Sequence, residues 1–163
     1  MAKMLKIYTV ENPKEEKFLR EKTEEVTNAE INSDSFQAFI DDLLHTAEKY
    51  ESEDGYLSVG LAAIQVGKKY KLFTFFRQDT EEFEIMINPE IDILTPLQDV
   101  EKEGCLSIPN IEGDVARFKK IRVKYLDRKG NQKKETFWGM DAREIQHEYD
   151  HTQGVLFTDK IID

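Results

Sequence analysis

Residues 146–151 read QHEYDH, and this stretch decides how the rest of the chain is interpreted. On an α-helix, side chains four residues apart lie on one face, so His147 and His151 can direct imidazole nitrogens at a single ion. Glu148 lies roughly 100° around the helix, given about 3.6 residues per turn, where it can reach a water molecule beside that ion. This is the HExxH arrangement of metal-dependent hydrolases. The alternative is a charged surface helix whose histidines face solvent.

Two helices are predicted, one at each end of the chain. The C-terminal helix is expected to begin near Asp141, an N-cap residue, with Glu144 completing a capping box. The earlier helix has Ser33, Asp34 and Ser35 as candidate N-caps and ends before Gly55. Its apolar stripe consists of Phe36, Phe39, Ile40, Leu43, Leu44, Ala47 and Tyr50. Residues 11–30 are rich in Glu and Lys and are interpreted as solvated surface.

Short strand-like segments lie between the two helices. A turn signal at residues 127–130 (DRKG) joins the last two segments, which predicts a β-hairpin. The order of elements favours an α+β fold in which antiparallel strands pack around a C-terminal HExxH helix, with an N-terminal amphipathic helix. The predicted strands are residues 71–77, 83–88, 91–94, 121–126 and 134–138.

Composition narrows the class of protein. A chain of 163 residues with 39% hydrophobic and 34% charged residues is typical of one globular domain, expected over residues 1–163. The net charge of −10 argues against nucleic-acid binding and against docking on an anionic membrane. We expect no signal peptide and no membrane span. The single cysteine, Cys105, cannot form an internal disulfide, which favours a cytoplasmic protein.

A catalytic site of the HExxH type needs a third protein ligand. The extended pattern HExxHxxGxxH places Phe157 where its third histidine would stand, and His45 is expected on the polar side of the first helix. Asp159 and Asp163 lie near the end of the chain. Cys105, in EGCLSIP at residues 103–109, is therefore the best candidate, because a thiolate beside two imidazoles suits Zn or Fe(II). The alternative is a buried cysteine that acts as a small hydrophobic residue.

Residues 58–67 read SVGLAAIQVG and contain one polar side chain, Gln65, in an apolar run. A side-chain amide of this kind can stabilise an oxyanion beside a metal ion. The alternative is a segment of small residues packed against a helix, with the Gln65 amide bonded to the backbone.

These three segments together resemble the peptide deformylase family, whose pattern is GxGxAAxQ, then EGCxS, then QHExDH. The chain has SVGLAAIQ, EGCLS and QHEYDH in the same order. The resemblance implies that Cys105, His147 and His151 hold one divalent metal ion, Fe(II) in the cell with Zn, Ni or Co as alternatives. It further implies that Glu148 is the general acid/base, and that Gln65 and the backbone N–H of Leu106 stabilise the oxyanion.

The resemblance also implies a substrate. A deformylase removes the formyl group from N-formyl-methionyl peptides of nascent proteins, which it meets at the ribosome, and releases formate. Gly60 would hydrogen-bond an extended substrate through its backbone. An apolar cavity would take the methionine side chain, with candidate lining residues Val59, Met140, Ile145 and the aliphatic stem of Arg143. We expect a monomer that does not bind nucleic acid or membrane.

Several positions depart from the family pattern and bear on substrate preference more than on chemistry. Ser58 replaces the first glycine, Glu112 stands in a loop that often contains arginine, and Glu144 and Glu101 replace residues that are commonly apolar or small. Three other hypotheses remain open from sequence. The chain could be an HExxH metallopeptidase, a deformylase-like protein that only binds peptide N-termini, or a thiol sensor built on Cys105.

Overall fold

The computed structural model describes residues 1–52, 55 and 57–162. Its helices are α1 (Pro13–Leu19), α2 (Asn28–Ile31), α3 (Asp34–Lys49) and α4 (Gly139–Thr152), with 3-10 turns at Ala63–Val66 and Phe157–Asp159. Its strands are β1 (Gly60–Ala62), β2 (Leu72–Arg77), β3 (Glu82–Ile93), β4 (Gln98–Cys105), β5 (Ile108–Phe118), β6 (Lys120–Leu126) and β7 (Gln132–Trp138).

Antiparallel strands form two sheets. The larger has the order β1-β2-β3-β6-β7, and β4 pairs only with β5. The predicted hairpin is confirmed, because β6 and β7 pair from Lys120↔Trp138 to Leu126↔Gln132 around a turn in which Gly130 donates to the Asp127 carbonyl. The mixed α+β architecture with antiparallel sheets is therefore confirmed.

Strand β3 unites two segments that the sequence separates at Pro89. The register with β6 shifts between Ile87 and Glu90, so a bulge accommodates the proline that cannot donate a ladder hydrogen bond. Asn88 sits in this bulge with φ 51°, and its side chain bonds both the N–H and the carbonyl of Val26. The bulge thus ties the sheet to the N-terminal segment.

The two long helices cover opposite faces of the larger sheet. Phe73 and Phe75 of β2 belong to the apolar cluster that contains Ile145 of α4, whereas Leu72 belongs to the cluster that contains Leu43 of α3. Successive side chains of a strand point to opposite faces, so the period of two in β2 separates the two clusters. The sheet is consequently buried on both sides in its centre.

Some sequence predictions were wrong. The surface interpretation of residues 11–30 missed α1 and α2, which bury Leu19 and Ile31. The hairpin of β4 and β5 was not predicted, because β4 is largely charged and exposed. Helix α4 begins at Gly139, two residues before Asp141, and its N-cap is Trp138, whereas the Asp141 carboxylate accepts from the backbone N–H of Gln78.

Across the described ranges, no helix combines the length and the apolar character that a membrane span requires.

Candidate active site and metal centre

Three side chains that are distant in sequence converge where β4 ends against α4. The ligand atoms of Cys105, His147 and His151 all lie within 4.8 Å of one another, and this is the one such group found among the described residues. The Cys105 Sγ is 3.4 Å from Nε2 of His151. The histidines share a helix face, as their spacing predicts, with ring centroids 5.3 Å apart. Sulfur and imidazole nitrogen form a donor set that suits a borderline or soft divalent cation.

The other residues considered as third ligands lie elsewhere. His45 is on α3, on the opposite side of the sheet. The carboxylate of Asp159 pairs with Arg20 and accepts from the Leu156 N–H. Asp163 lies outside the described residues. Cys105 is therefore the residue that the fold brings to the two histidines.

Glu103 orients His147 from behind the cluster, and the sequence analysis missed this role. Its Oε1 lies 3.0 Å from Nδ1 of His147, which directs the other ring nitrogen toward Cys105. Burial alone would raise the pKa of Glu103, but Arg117 and His147 outweigh it and hold that pKa well below its usual range. Glu103 belongs to the EGCLSIP segment, but the strand register shifts between Glu103 and Cys105, so residue spacing does not predict its contact with His147.

Two buried arginines hold the Glu103 carboxylate. Arg117 donates to it at 2.9 and 2.8 Å, and Arg143 donates at 2.6 Å. Arg117 also pairs with Asp150 of α4 at 2.6 Å. These ion pairs join β4, β5 and α4 behind His147, so Glu103 fixes the His147 imidazole before any ligand binds. The buried Nδ1 of His151 has no hydrogen-bond partner within the described chain.

Glu148 is buried beside the cluster. Its Oε2 lies 4.0 Å from Nε2 of His147, and its Oε1 is a buried oxygen without a hydrogen-bond partner within the described chain. Burial raises the pKa of Glu148 to about 8, with the nearby positive charge of His147 opposing the shift. Burial lowers the pKa of His151, because it disfavours the charged imidazolium. The imidazole is therefore neutral, which is the form that binds a metal ion.

Gln65 is held in a fixed orientation by the 3-10 turn that follows β1. Its Oε1 accepts from the Ala62 N–H at 2.8 Å, and its amide nitrogen donates to Ser107 Oγ at 3.1 Å and to Cys105 Sγ at 3.6 Å. Leu106 lies next to Cys105 in the turn between β4 and β5. The amide of Gln65 and this turn therefore both adjoin the Cys105 sulfur.

A cavity of about 100 Å³ opens onto this cluster. Gly60 lines it, and a Cβ there would lie 2.6 Å from Oε2 of Glu148, so a larger residue would displace the Glu148 side chain. Of the residues predicted to bind substrate, Val59, Gly60, Met140 and Arg143 are among its lining. The full lining is Ser58, Val59, Gly60, Gln65, Glu101, Lys102, Glu103, Gly104, Cys105, Leu106, Met140, Arg143, Glu144, His147 and Glu148.

Ile145 does not line this cavity, and its assignment to the substrate pocket was wrong. It is fully buried in the apolar cluster beneath α4, because it points toward the sheet and away from the face that carries His147.

An α+β fold with a Cys–His–His cluster, a buried glutamate and an adjoining cavity defines the class of mononuclear metal-dependent hydrolases. The family described as polypeptide deformylase matches residues 4–163 of the chain. The chain belongs to this family and is a metal-dependent deformylase.

Named relatives agree with this assignment. A peptide deformylase of Leptospira biflexa is 37% identical over 165 residues, covering 96% of this chain and 87% of the relative. The crystal structure of the Thermotoga maritima peptide deformylase is similar with a TM-score of 0.84 at 34% identity, covering 99% of each chain. A Met-Ala-Ser bound class I type b peptide deformylase of Acinetobacter baumannii has a TM-score of 0.84 at 29% identity, covering 99% of this chain and 100% of that one.

Proposed function

We propose that one catalytic domain, residues 1–163, removes the formyl group from N-formyl-methionyl peptides of nascent proteins and releases formate. The observation that carries this proposal is the convergence of Cys105, His147 and His151 beside Glu148 at one cavity. The Met-Ala-Ser peptide in the Acinetobacter baumannii relative supports a peptide substrate. In this interpretation α4 is the HExxH helix of the family fold, and α3 is its N-terminal amphipathic helix.

Cys105, His147 and His151 would hold one divalent ion, Fe(II) in the cell, with Zn, Ni or Co as substitutes. The neutral imidazole of His151 and the oriented ring of His147 fit this role. A cation bound there would supply a Lewis acid that makes water nucleophilic near neutral pH and polarises the formyl carbonyl.

Glu148 would move the proton. Its unpartnered Oε1 can accept a proton from the water that attacks the formyl carbon, and the same carboxyl can then deliver that proton to the leaving amine. Burial raises the pKa of Glu148, and a cation held by the neighbouring ligands would favour the ionised carboxylate that accepts the proton.

Gln65 and the backbone N–H of Leu106 would stabilise the oxyanion that develops on the formyl oxygen. The Gln65 amide is preorganised by its bond to Ala62, so it needs no reorientation during the reaction. To act, its nitrogen would exchange the contact with Cys105 Sγ or Ser107 Oγ for one with the substrate. Val59, Met140 and the stem of Arg143 would contact the side chain of the first residue, and Gly60 the peptide backbone.

We further propose that the protein is a cytoplasmic monomer that meets nascent chains at the ribosome, without binding nucleic acid or membrane. The net charge of −10 supports the last two points.

The test is formate release from a formyl-Met peptide by protein purified anaerobically and loaded with Fe(II). We expect stoichiometric formate and no cleavage of the same peptide without its formyl group. Cleavage of the unformylated peptide would instead identify an HExxH metallopeptidase. Tight peptide binding without formate would identify a deformylase-like binding protein.

A further inference from the structure

The two amide N–H bonds of Gln65 face different surroundings. The Gln65 Oε1 accepts from the Ala62 N–H at 2.8 Å, and because a backbone N–H can only donate, this bond fixes which end of the amide is oxygen. The Nε2 atom therefore faces Ser107 Oγ at 3.1 Å and Cys105 Sγ at 3.6 Å. A primary amide has two N–H bonds, so one is available for each of these atoms.

Ser107 lies behind the catalytic cavity and not on its surface. Gln65 and Cys105 are among the residues that line the cavity, whereas Ser107 is fully buried and is not among them. A substrate in the cavity therefore meets the N–H that faces the cysteine. The N–H that is bonded to Ser107 stays engaged with the protein.

The N-terminal segment holds both Gln65 and Ser107 through their backbone carbonyls. The Tyr8 N–H donates to the Gln65 carbonyl at 2.7 Å, and the Val10 N–H donates to the Ser107 carbonyl at 2.9 Å. These two bonds join the 3-10 turn that carries the amide to the turn between β4 and β5 that carries the hydroxyl. The amide and the hydroxyl are therefore held next to each other by a segment that lies outside the cavity.

We propose that Ser107 is a positioning residue for the oxyanion-stabilising amide, because its hydroxyl retains one N–H of Gln65 and leaves the other directed at the candidate metal ligands. This inference rests on the proposed deformylase function. A donor stabilises a developing oxyanion best when it is already aimed, because no reorganisation is then needed during the reaction. Without the hydroxyl, the amide keeps only its bond to Ala62 and can rotate about it.

The first test is a double-mutant cycle on kcat for formate release from a formyl-Met peptide. Gln65→Ala should lower kcat by about 10²–10³-fold, as the loss of one oxyanion donor does. Ser107→Ala should lower kcat by about 3–10-fold, in line with the loss of one hydrogen bond, and should leave KM unchanged because the oxyanion forms only in the transition state. In the Gln65→Ala background, Ser107→Ala should have no further effect. An equal loss in both backgrounds would overturn the proposal.

Thr46→Val is the matched control for the loss of a buried hydroxyl. Thr46 is fully buried on α3, where its Oγ1 accepts from the Leu5 N–H at 2.9 Å and donates to the Asp42 carbonyl at 2.8 Å. We expect kcat to match that of the unaltered chain, and metal content by elemental analysis to be the same in all variants. A fall in kcat equal to that of Ser107→Ala would overturn the proposal, because general destabilisation would then explain both losses.

A spectroscopic measurement separates this proposal from the proposed function. In the amide proton–nitrogen NMR spectrum of the zinc-loaded protein, the two side-chain signals of Gln65 are identified by their absence in Gln65→Ala. We expect Ser107→Ala to shift one of these signals, because its hydrogen bond is lost, and Thr46→Val to shift neither. A spectrum in which neither signal responds to Ser107→Ala would overturn the proposal.

The kinetic and spectroscopic results fail independently. If no formylated peptide yields formate, the deformylase function fails, and the NMR spectrum still decides whether Ser107 holds the amide. If formate is released but kcat does not respond to Ser107→Ala, only the positioning proposal fails.

Discussion

Helices α3 and α4 pack on opposite faces of one sheet, and they bury different kinds of side chain. α3 buries an apolar stripe that includes Phe36, Ile40 and Leu43. α4 buries mostly polar groups, among them Arg143, Gln146, His147, Glu148, His151 and Thr152. Burying a polar group costs free energy unless it is hydrogen-bonded, so most buried groups of α4 depend on specific partners, whereas α3 depends on apolar area. Among the described residues, Oε1 of Glu148 and Nδ1 of His151 are buried without such a partner. Apolar clusters therefore lie on both faces of the sheet, whereas the candidate catalytic groups lie on the α4 face.

The partners of α4 come from the β4–β5 hairpin. Gln146 clamps the helix to β5, since its side chain accepts from the Phe118 N–H at 3.0 Å and donates to the Phe118 carbonyl at 2.8 Å. The ion pairs of Glu103 with Arg117 and Arg143 make a second connection. The hairpin thus supplies one candidate ligand, Cys105, and the Glu103 carboxylate that orients a second, His147.

Glu148→Gln has the largest expected effect and tests whether a buried polar group of α4 carries the chemistry. If Glu148 moves the proton, kcat falls by about 10²–10⁴-fold, because an amide cannot act as a general base. Metal content by elemental analysis and the unfolding midpoint should match those of the unaltered chain. Full activity in this variant would refute the role.

Leu43→Ala makes the converse test on α3. Leu43 is fully buried, so truncation should lower the free energy of unfolding by about 2–5 kcal/mol, measured by urea denaturation. Metal content and kcat at low temperature should not change. Loss of metal from a folded Leu43→Ala protein would show that the two faces are not separable.

Glu103→Gln sharpens the account of the α4 network. It weakens the bond to His147 and leaves Arg117 and Arg143 with a neutral partner, and metal affinity should fall by about 10–100-fold. Competition with a chelator measures this effect. Glu101→Gln is the matched control, because Glu101 is exposed and contacts only the edge of Arg143, and its metal affinity should be unchanged.

Ser33→Ala tests a difference between the N-caps of α3 and α4, and its expected effect is the smallest. The Ser33 hydroxyl accepts from the Phe36 N–H at 3.2 Å, whereas the N-cap of α4, Trp138, offers no side-chain bond. Removing the cap should cost about 1 kcal/mol of stability, read from the same urea curves. Unchanged stability would mean that packing alone fixes the start of α3.

Sequence patterns predicted α3 because its apolar residues recur at helical spacing. They predicted the β6–β7 hairpin because its strands alternate between apolar and polar residues. The β4–β5 hairpin was missed because β4, QDVEKEGC, has charged residues on both faces. Such a strand shows no alternation of apolar and polar residues, and it lies outside the larger sheet. The start of α4 was misplaced because Asp141 resembles a cap but is bonded to Gln78 instead.

Sequence motifs indicated the candidate metal ligands and Glu148. They did not indicate the residues that contact these side chains from other strands and helices. Spacing on a helix indicated His147, Glu148 and His151, and elimination left Cys105. Residue spacing does not show that Glu103 contacts His147 or that the Arg143 guanidinium donates to Glu103, because both contacts join β4 to α4. Ile145 was misassigned because one residue along a helix rotates a side chain from the cavity to the core.

The proposed chemistry requires that the Cys105 sulfur and the two imidazoles bind one cation together. The most direct measurement is the absorption spectrum of the Co(II)-loaded protein, in which a thiolate ligand produces a charge-transfer band. We predict one Co(II) per chain with this band present, and loss of the band in Cys105→Ser but not in His45→Ala. An unaltered spectrum in Cys105→Ser would contradict the account.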